Sequence, residues 1–456
     1  MNVGFGRQDI TPRVGVELCG FGPFRCRHAV GIRDRLWARA MAVEQDGVKV
    51  VLVACDLIGI TLHVTRKVRA RVRQAAGLPD EAVMICCSHT HSGPNTGPYI
   101  GWGAPDEPYR ETLHNRIAGA ALQALADLRP AELHVATVPC TGIGLNREYD
   151  RDRPPLESVL RDDWQPAHPE LTDTACHVLA VRAPDGRLRG FASYFGCHPV
   201  VCCADTRFIH GDFAGVATNQ VERDADGVTG LFLQGAQGDV NSCVVHQPEA
   251  EAMLALDVVA GRYARALRRG LAAAQPAAVD RVAAALETTV FSRQSWGLDT
   301  LRDLLAATEA RLDHPDATDT AVLDGDIDLR METVYALALR DLVARAERGE
   351  SLQPPTEIHG FRIGPVALLG SPFETFQAIR NDVVQAARAP LPLVLSFVDD
   401  SVGYAPDRTA AARGGYAQDK VPLICGELPF ADAHGELVAA LLRLDQRLVE
   451  AGGSLS

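Results

Sequence analysis

The sequence predicts an α/β protein in which a mixed β-sheet domain is flanked by helices. Two observations lead to this fold class: short buried runs rich in β-branched residues, and apolar residues at helical spacing between those runs. The run VKVVLVACDL (48–57) predicts a buried strand, and Val64, Val68 and Val72 then repeat every four residues up to a predicted helix stop at Gly77. The run AVMICCS (82–88) predicts the next strand.

The same alternation continues through the first half of the chain. Helical patterns cover residues 108–126 and 212–223. Further strands are predicted at 132–138, 175–181, 190–196 and 227–235. Strands that alternate with helices are typical of βαβ units, and we therefore expect them to build one mixed sheet.

Residues 295–353 have a different pattern and predict a helical insertion. One amphipathic helix is marked by Leu301, Leu304, Leu305 and Leu312, and a second covers 331–348, with an acidic, turn-rich stretch between them. Strands return at 357–371 and 391–398, and leucines from 437 to 448 predict a closing helix. No linker divides the chain, so we predict a single domain over 1–456 whose insertion forms a lid or a homo-oligomer contact.

Composition excludes several classes of function. The formal net charge of −13 disfavours a nucleic-acid partner, because phosphate backbones repel an acidic surface. No apolar run approaches the 18 or so residues of a membrane helix, so we expect no membrane insertion. The N-terminus has no basic and apolar leader, and the 12 cysteines form no CxxC pair. We therefore expect a cytoplasmic protein whose cysteines are reduced.

The segment MICCSHTHSGPNTGP (84–98) is the sharpest candidate for a functional site. His89 and His91 directly follow a predicted buried strand, and small residues surround them. Residues two apart in an extended segment face the same way, so both imidazoles can point into one cavity. Neutral imidazole is a preferred zinc ligand, although two hydrogen-bonding loop histidines would give the same pattern.

Other polar residues also follow predicted strands. His198 comes after one such strand, although a lone histidine is more often a core residue, and Asp212 could cap a helix or orient a ligand. Asn241 and Ser242 lie in a glycine-rich turn, and His210 could contact a substrate or be a solvated loop residue. Later candidates are Glu374, which follows another strand, and the loop tyrosines Tyr404 and Tyr416.

Taken in order, these motifs resemble those of the neutral, non-lysosomal ceramidases and their bacterial relatives, which are zinc-dependent amidases. The matching segments are GRQDITP near the start, SHTHSGP, NRE at 146–148, CHP at 197–199, HGDFAG at 210–215, QGDVN at 237–241, PFE at 372–374, and the two tyrosines. The resemblance implies one Zn²⁺ per chain with four ligands: His89, His198, Glu374 and Tyr404. It also implies that His91 lies beside the metal-bound water and that Arg147 and Tyr416 bind the scissile carbonyl.

The sequence departs from the family pattern in the turn after the third predicted strand. The family carries a serine where this chain has Asn241, with Ser242 one place later, and we expect both to contact the substrate. We also expect a short bacterial-type form, without the C-terminal β-sandwich and the export signal of the long members.

The sequence thus predicts a zinc-dependent amidohydrolase that cleaves a linear amide in a soluble, small-molecule N-acyl substrate. An esterase or lactonase remains an alternative, because the same groups serve both acyl transfers. A non-catalytic binding protein on the same fold is a second alternative.

Overall fold

The predicted strand and helix patterns become strands and helices in a computed structural model that describes residues 1–150, 154–312 and 327–450. The described strands are β1 Asn2–Asp9, β2 Gly31–Ile32, β3 Trp37–Gln45, β4 Val48–Cys55, β5 Val83–Cys87, β6 Arg129–Pro130, β7 Glu132–Pro139, β8 Gly144–Asn146, β9 Ala175–Arg182, β10 Leu188–Phe195, β11 Phe208–Ile209, β12 Thr229–Gln234, β13 Val240–Ser242, β14 Gln275–Ala277, β15 Val282–Val290, β16 Pro355–Ile363, β17 Val366–Gly370, β18 Glu374–Thr375, β19 Leu391–Leu395 and β20 Tyr404–Ala405. The described α-helices are α1 Leu62–Ala76, α2 Glu107–Ala126, α3 Leu156–Val159, α4 Asp212–Asp224, α5 Glu249–Ala273, α6 Leu298–Ala310, α7 Ile327–Glu347, α8 Gln377–Ala386, α9 Arg408–Arg413, α10 Val421–Ile424 and α11 Ala433–Glu450.

Three larger sheets form the framework. Their strand orders are β5-β4-β3-β1-β6, β12-β10-β9-β7-β14 and β15-β16-β17-β19. Each sheet is mixed and contains one parallel pair, namely β4 with β5, β10 with β12, and β17 with β19. A parallel pair needs a crossover connection, and α1, α4 and α8 lie in these three crossovers. The predicted mixed-sheet α/β class is therefore confirmed, with several sheets rather than one.

The three sheets share one apolar core. On β4, Leu52 faces this shared core, whereas its neighbours Val51 and Val53 face the core beneath α1 and α2. This alternation follows from the two-residue period of a strand. The shared core also receives Leu231 from the second sheet and Leu368 from the third. Helices cover the outer faces because each sheet has apolar side chains on both sides.

One glutamine joins the carboxyl ends of the three parallel pairs. Gln234, the last residue of β12, donates from its side chain to the Ser88 carbonyl at 2.8 Å, just past β5. The backbone carbonyl of Gln234 accepts from the backbone amide of Ser396 at 3.0 Å, just past β19. Residues that follow strands in different sheets therefore lie at one place, which is where the candidate site forms.

Some predicted elements differ in extent. The strand predicted over 391–398 ends at Leu395, because Phe397 and Asp399 turn the backbone with φ of +54° and +64°. The sequence analysis did not anticipate the 25-residue helix α5, whose alanines pack on the second sheet. The predicted insertion contains the two helices α6 and α7, and the acidic stretch 313–326 lies outside the described residues. The single-domain assignment stays a prediction.

Among the described residues, no helix combines the length and the apolarity that spanning a bilayer requires.

Candidate metal centre

His89 is held in one orientation from two sides. Its backbone has a left-handed φ of +68°, and its Nδ1 lies 2.6 Å from the Ile58 carbonyl oxygen. The ring stacks on Phe397 with centroids 4.1 Å apart and planes 16° from parallel. Because a carbonyl oxygen only accepts, Nδ1 carries the ring proton and Nε2 presents a lone pair.

His198 has the same arrangement. Its Nδ1 lies 2.7 Å from the Gln237 carbonyl oxygen in the turn after β12, so this ring also presents the lone pair of Nε2. A carbonyl that fixes the tautomer of a histidine is the usual second partner of a metal-ligating imidazole. The centroids of His89 and His198 lie 5.0 Å apart.

Glu374 lies between these two imidazoles. Its Oε2 is 3.0 Å from His198 Nε2 and 3.5 Å from His89 Nε2. Although this oxygen is buried, it accepts no hydrogen bond from any described residue. Three acceptors therefore point at one place: two nitrogen lone pairs and one carboxylate oxygen. Burying them without a partner costs free energy unless a cation lies between them, so the donor set fits a divalent metal ion.

Two further side chains border this point. The register of β18 and β20 pairs Glu374 with Tyr404, and the Tyr404 hydroxyl lies 3.3 Å from His198 Nε2. His91 Nε2 lies 3.1 Å from His89 Nε2. The three histidines offer nitrogens within 4.8 Å of one another, so the structure brings His91 as close to the centre as the predicted ligands.

Electrostatics set the protonation states that a metal centre needs. Burial lowers the pKa of His89 to about 4 and holds the pKa of His91 well below its usual value. Burial alone would raise the pKa of Glu374, but His89, His198 and Arg147 outweigh it and lower that pKa to about 2. The centre therefore combines an ionised carboxylate with the neutral imidazoles of His89 and His91 near neutral pH, which is the state that binds a cation.

The predicted carbonyl-binding residues lie beside the centre. The Arg147 guanidinium sits 5.0 Å above the Tyr404 ring, and its Nη2 donates to the Gly238 carbonyl at 2.6 Å. Tyr416 begins a π-helical turn over Tyr416–Lys420, and its ring centroid lies 6.1 Å from that of Tyr404. Tyr416 as a whole is 46% exposed, although burial of its phenol group raises the pKa of Tyr416 to about 12.

The predicted substrate residues Asn241 and Ser242 have different surroundings. Asn241 forms an isolated parallel bridge with His198 and lines the cavity at the metal centre. Ser242 is buried, its hydroxyl donates to the Val244 carbonyl at 2.6 Å, and it lies on the neighbouring cavity. The structure thus brings Asn241, but not Ser242, to the centre, and both roles stay predictions.

Two cavities open at this site. We call the cavity lined by His91, His198 and Tyr404 the inner cavity, and its volume is about 340 Å³. The neighbouring cavity, which we call the outer cavity, has about 580 Å³. Both are lined by Arg147, Asn241, Val245, His246 and Tyr416. Because these residues line both, the two cavities meet at a common wall.

Comparison with known proteins identifies the family. Residues 1–251 match the family described as neutral/alkaline non-lysosomal ceramidase, N-terminal. The chain belongs to this family. It is 29% identical over 244 residues to a neutral ceramidase from Pseudomonas aeruginosa, a match that covers 51% of this chain and 35% of that relative. The match thus spans about a third of the length of that curated relative.

Solved ceramidase structures have the same fold. The crystal structure of neutral ceramidase from Pseudomonas aeruginosa matches with a TM-score of 0.75 at 20% identity, covering 100% of this chain and 76% of that one. A ceramidase complexed with C2 matches with a TM-score of 0.73 at 19% identity, covering 100% and 77%. Both comparisons confirm the fold predicted from the resemblance.

The ceramidase-family chain also carries site residues that the sequence analysis missed. Phe397 stacks on His89, and the Phe21 ring meets His91 edge-on at 5.1 Å. Gly20 makes room for His91, because a Cβ built there would lie 2.4 Å from His91 Nδ1. The sequence signal for this segment was the repeated glycine in CGFGPF, which permits the φ of +101° at Gly20.

A second cluster in this ceramidase-family chain, Cys202, His210 and Asp212, does not suit a metal ion. His210 Nδ1 accepts from the Asp212 amide at 3.1 Å, so a neutral ring carries its proton on Nε2 and has no free lone pair. The Asp212 carboxylate already accepts from the amides of Phe213, Val201 and Cys202. His210 is 0% exposed, so its interpretation as a solvated loop residue was wrong.

Proposed function

We propose that this ceramidase-family protein is a zinc-dependent amidohydrolase that cleaves the C–N bond of a soluble N-acyl substrate. The observation that carries the proposal is the convergence of His89, His198 and the unsatisfied Glu374 carboxylate, with Tyr404 and His91 alongside. The neutral ceramidase names of its relatives support amide chemistry. The donor set of two imidazoles, one carboxylate and a phenol oxygen would hold one Zn²⁺.

When bound, zinc would supply the Lewis acidity that activates water near neutral pH. The chain's own residues would do the rest. Arg147 and Tyr416 would donate hydrogen bonds to the carbonyl oxygen as negative charge develops on it. His91, a neutral base beside the centre, would accept a proton from the attacking water and pass it to the departing nitrogen. An amine leaves readily only after it is protonated, so His91 is essential to this reaction.

The cavity lining supports a soluble substrate rather than a two-chain lipid. Arg147, Glu148, Asp150 and Arg413 line the outer cavity together with apolar side chains. An alkyl chain lying against these charged groups would displace their water without replacing its hydrogen bonds, which is unfavourable.

We expect Tyr416→Phe to lower kcat on an amide substrate by about 10²–10³-fold, because one donor to the developing oxyanion is lost. Zinc content should stay at one ion per chain. The measurements are steady-state kinetics with zinc-loaded protein and elemental analysis. Tyr149→Phe is the matched control, because Tyr149 is similarly exposed (48%) and lines neither cavity.

A panel of amides and esters with matched acyl groups tests the reaction itself. Turnover of the amides supports the amidohydrolase. Turnover of esters alone would support the esterase instead. If zinc-loaded protein hydrolyses neither class, the result supports a non-catalytic binding protein.

We expect Gly20→Ala to reduce amide hydrolysis at least about tenfold more than Gly15→Ala, because only the first new methyl group collides with His91. The two glycines have similar φ, +101° and +97°, but a Cβ at Gly15 meets nothing within 4 Å. Both variants should lose about 1–2 kcal/mol of stability from the strained backbone. Kinetics and urea unfolding separate the two effects, and equal losses of activity would refute the role given to Gly20.

A further inference from the structure

The two cavities meet at a wall that contains the carbonyl-binding residues. Arg147 and Tyr416 line both cavities, whereas His91 lines the inner cavity and is absent from the lining of the outer one. If the proposed function is correct, on which this inference rests, the scissile carbonyl oxygen lies at the common wall, near these two donors.

The position of the proton donor then fixes the direction of the substrate. The departing nitrogen must come within hydrogen-bond reach of the group that protonates it, which is His91. A carbonyl carbon carries its nitrogen and its acyl carbon on opposite sides of the C=O axis. With the oxygen at the wall and the nitrogen towards His91, the acyl group must point away from the inner cavity.

We propose that the amine part of the substrate occupies the inner cavity and the acyl part occupies the outer cavity. The inner cavity, about 340 Å³, has Phe21, Trp102 and Met331 among its walls, with Asp328 and Lys420 beside them, so it suits a compact amine with an apolar face and a polar group. Its volume is at the lower end of the range for ligand pockets, which favours a compact amine over a long-chain one.

The outer cavity suits a different chemistry. Its volume is about 580 Å³, and Glu148 and Arg413 form an ion pair on its lining. Asp150 lines the same cavity, and so do the apolar side chains of Leu156 and Val244. Charged side chains next to apolar ones favour an acyl group that carries hydrogen-bonding substituents on an apolar body, because a bare alkyl chain would displace water from the ion pair without replacing its hydrogen bonds.

Two crossed substitutions test the orientation. Leu156→Trp fills the outer cavity and Met331→Trp fills the inner one, and both residues are half-buried apolar side chains. The substrates are one amide with a bulky, hydroxylated acyl group on methylamine, and one acetamide of a bulky amine. We expect Leu156→Trp to lower kcat/KM at least about tenfold more for the first than for the second, and Met331→Trp to do the reverse.

The control is Leu254→Trp, an exposed position on α5 outside both cavities, which should leave both values unchanged. Thermal unfolding of each variant verifies that the protein is folded. The reversed pattern would overturn the orientation, and so would equal losses on both substrates. If the parent protein hydrolyses neither amide, the proposed function fails instead.

A separate experiment tests which acyl group the outer cavity prefers. A hydroxylated acyl amide and an alkyl acyl amide of equal length are compared in the parent protein and in a double variant, Glu148→Leu with Arg413→Leu, which removes both charges of the ion pair. We expect the parent to favour the hydroxylated compound at least about tenfold and the variant to lose most of that preference. An equal or greater rate on the alkyl compound would overturn the assignment of the outer cavity.

Discussion

His198→Ala is expected to abolish zinc binding and amide hydrolysis together. Its Nε2 lies within 3.3 Å of both Glu374 Oε2 and the Tyr404 hydroxyl, so its loss removes the ligand at the centre of the donor set. Loss of an outer partner of a metal ligand already costs about 10–100-fold in affinity, and loss of the ligand itself should exceed that. Elemental analysis after dialysis and steady-state kinetics provide the measurements.

The second cluster offers a matched control. Cys202→Ser removes a potential ligand from the other group of metal-binding residue types, yet its histidine and carboxylate are already engaged by backbone amides. This variant should keep one zinc per chain and full activity. If Cys202→Ser loses metal while His198→Ala retains it, the ion is bound elsewhere and the proposed centre is wrong.

Asp399→Ala is expected to destabilise the protein by about 2–4 kcal/mol, because it removes one of the two carboxylates that pair with the buried Arg69 and leaves only Glu357. Asp399 Oδ2 lies 2.6 Å from Arg69 Nη2 and 2.6 Å from His359 Nδ1, and Oδ1 accepts from the Ile85 amide at 2.9 Å. Asp399, Arg69 and His359 are almost fully buried. Urea unfolding of the metal-free protein measures the loss.

The neighbouring Asp400 serves as the comparison. Asp400 Oδ1 accepts from the backbone amide of Leu62 at 2.9 Å. Among the described residues, Asp400 forms no ion pair with an arginine, unlike Asp399. Asp400→Ala should therefore cost only what the loss of a helix cap costs, about 0.5–2 kcal/mol. A loss at Asp399 no larger than the loss at Asp400 would refute the importance of the buried ion network.

The pH dependence of the two variants should have opposite signs. Burial would raise the pKa of Asp399, but Arg69 and His359 outweigh it and lower that pKa below 3.8. The stability that Asp399 contributes is thus fully present above pH 3.8 and is lost as the pH falls through its lower pKa in the folded protein. The difference in free energy of unfolding between the parent and Asp399→Ala therefore narrows in acid. Burial raises the pKa of Asp400 to about 6, so the gap for Asp400→Ala widens as the pH falls from 6 to 4.

The Asp399 network also matters for the metal centre. Asp399 lies two residues after Phe397, and both have left-handed backbone conformations. Phe397 stacks on His89, so the ion network fixes the turn that holds this imidazole in place. Asp399→Ala should therefore weaken zinc binding as well as folding.

Several features of the site could be predicted from sequence because they are local. The buried run before His89 predicts a strand, and β5 ends at Cys87, just before this histidine. The two-residue spacing to His91 predicts neighbouring rings, which the structure shows. The assumed extended conformation was wrong, because His89 has a left-handed φ of +68°. The structure places both beside His198 and Glu374. The resemblance to the ceramidases contributed the longer-range pairing of these residues, which no spacing in one chain could reveal.

Other features depend on contacts between distant segments. Phe397 gave no signal in the sequence because its role comes from a left-handed turn that Asp399, Arg69 and His359 hold. Gly20 matters only because His91 occupies the space that a methyl group would take. Likewise, His210 is fully buried, and its backbone pairs with Ser92 and Thr90 of a distant segment, so its local polarity misled the interpretation.

The sequence by itself determined which residue types follow which strands, because periodicity, glycine placement and strand ends are properties of neighbouring residues. Only the tertiary structure decided that three separate sheets direct their parallel pairs to one point, which Gln234 joins through Ser88 and Ser396. It also decided which imidazole nitrogens face carbonyl oxygens and which face the centre. The reason is that a metal centre requires its ligand side chains to have particular positions and orientations. Packing between distant segments of the chain determines both.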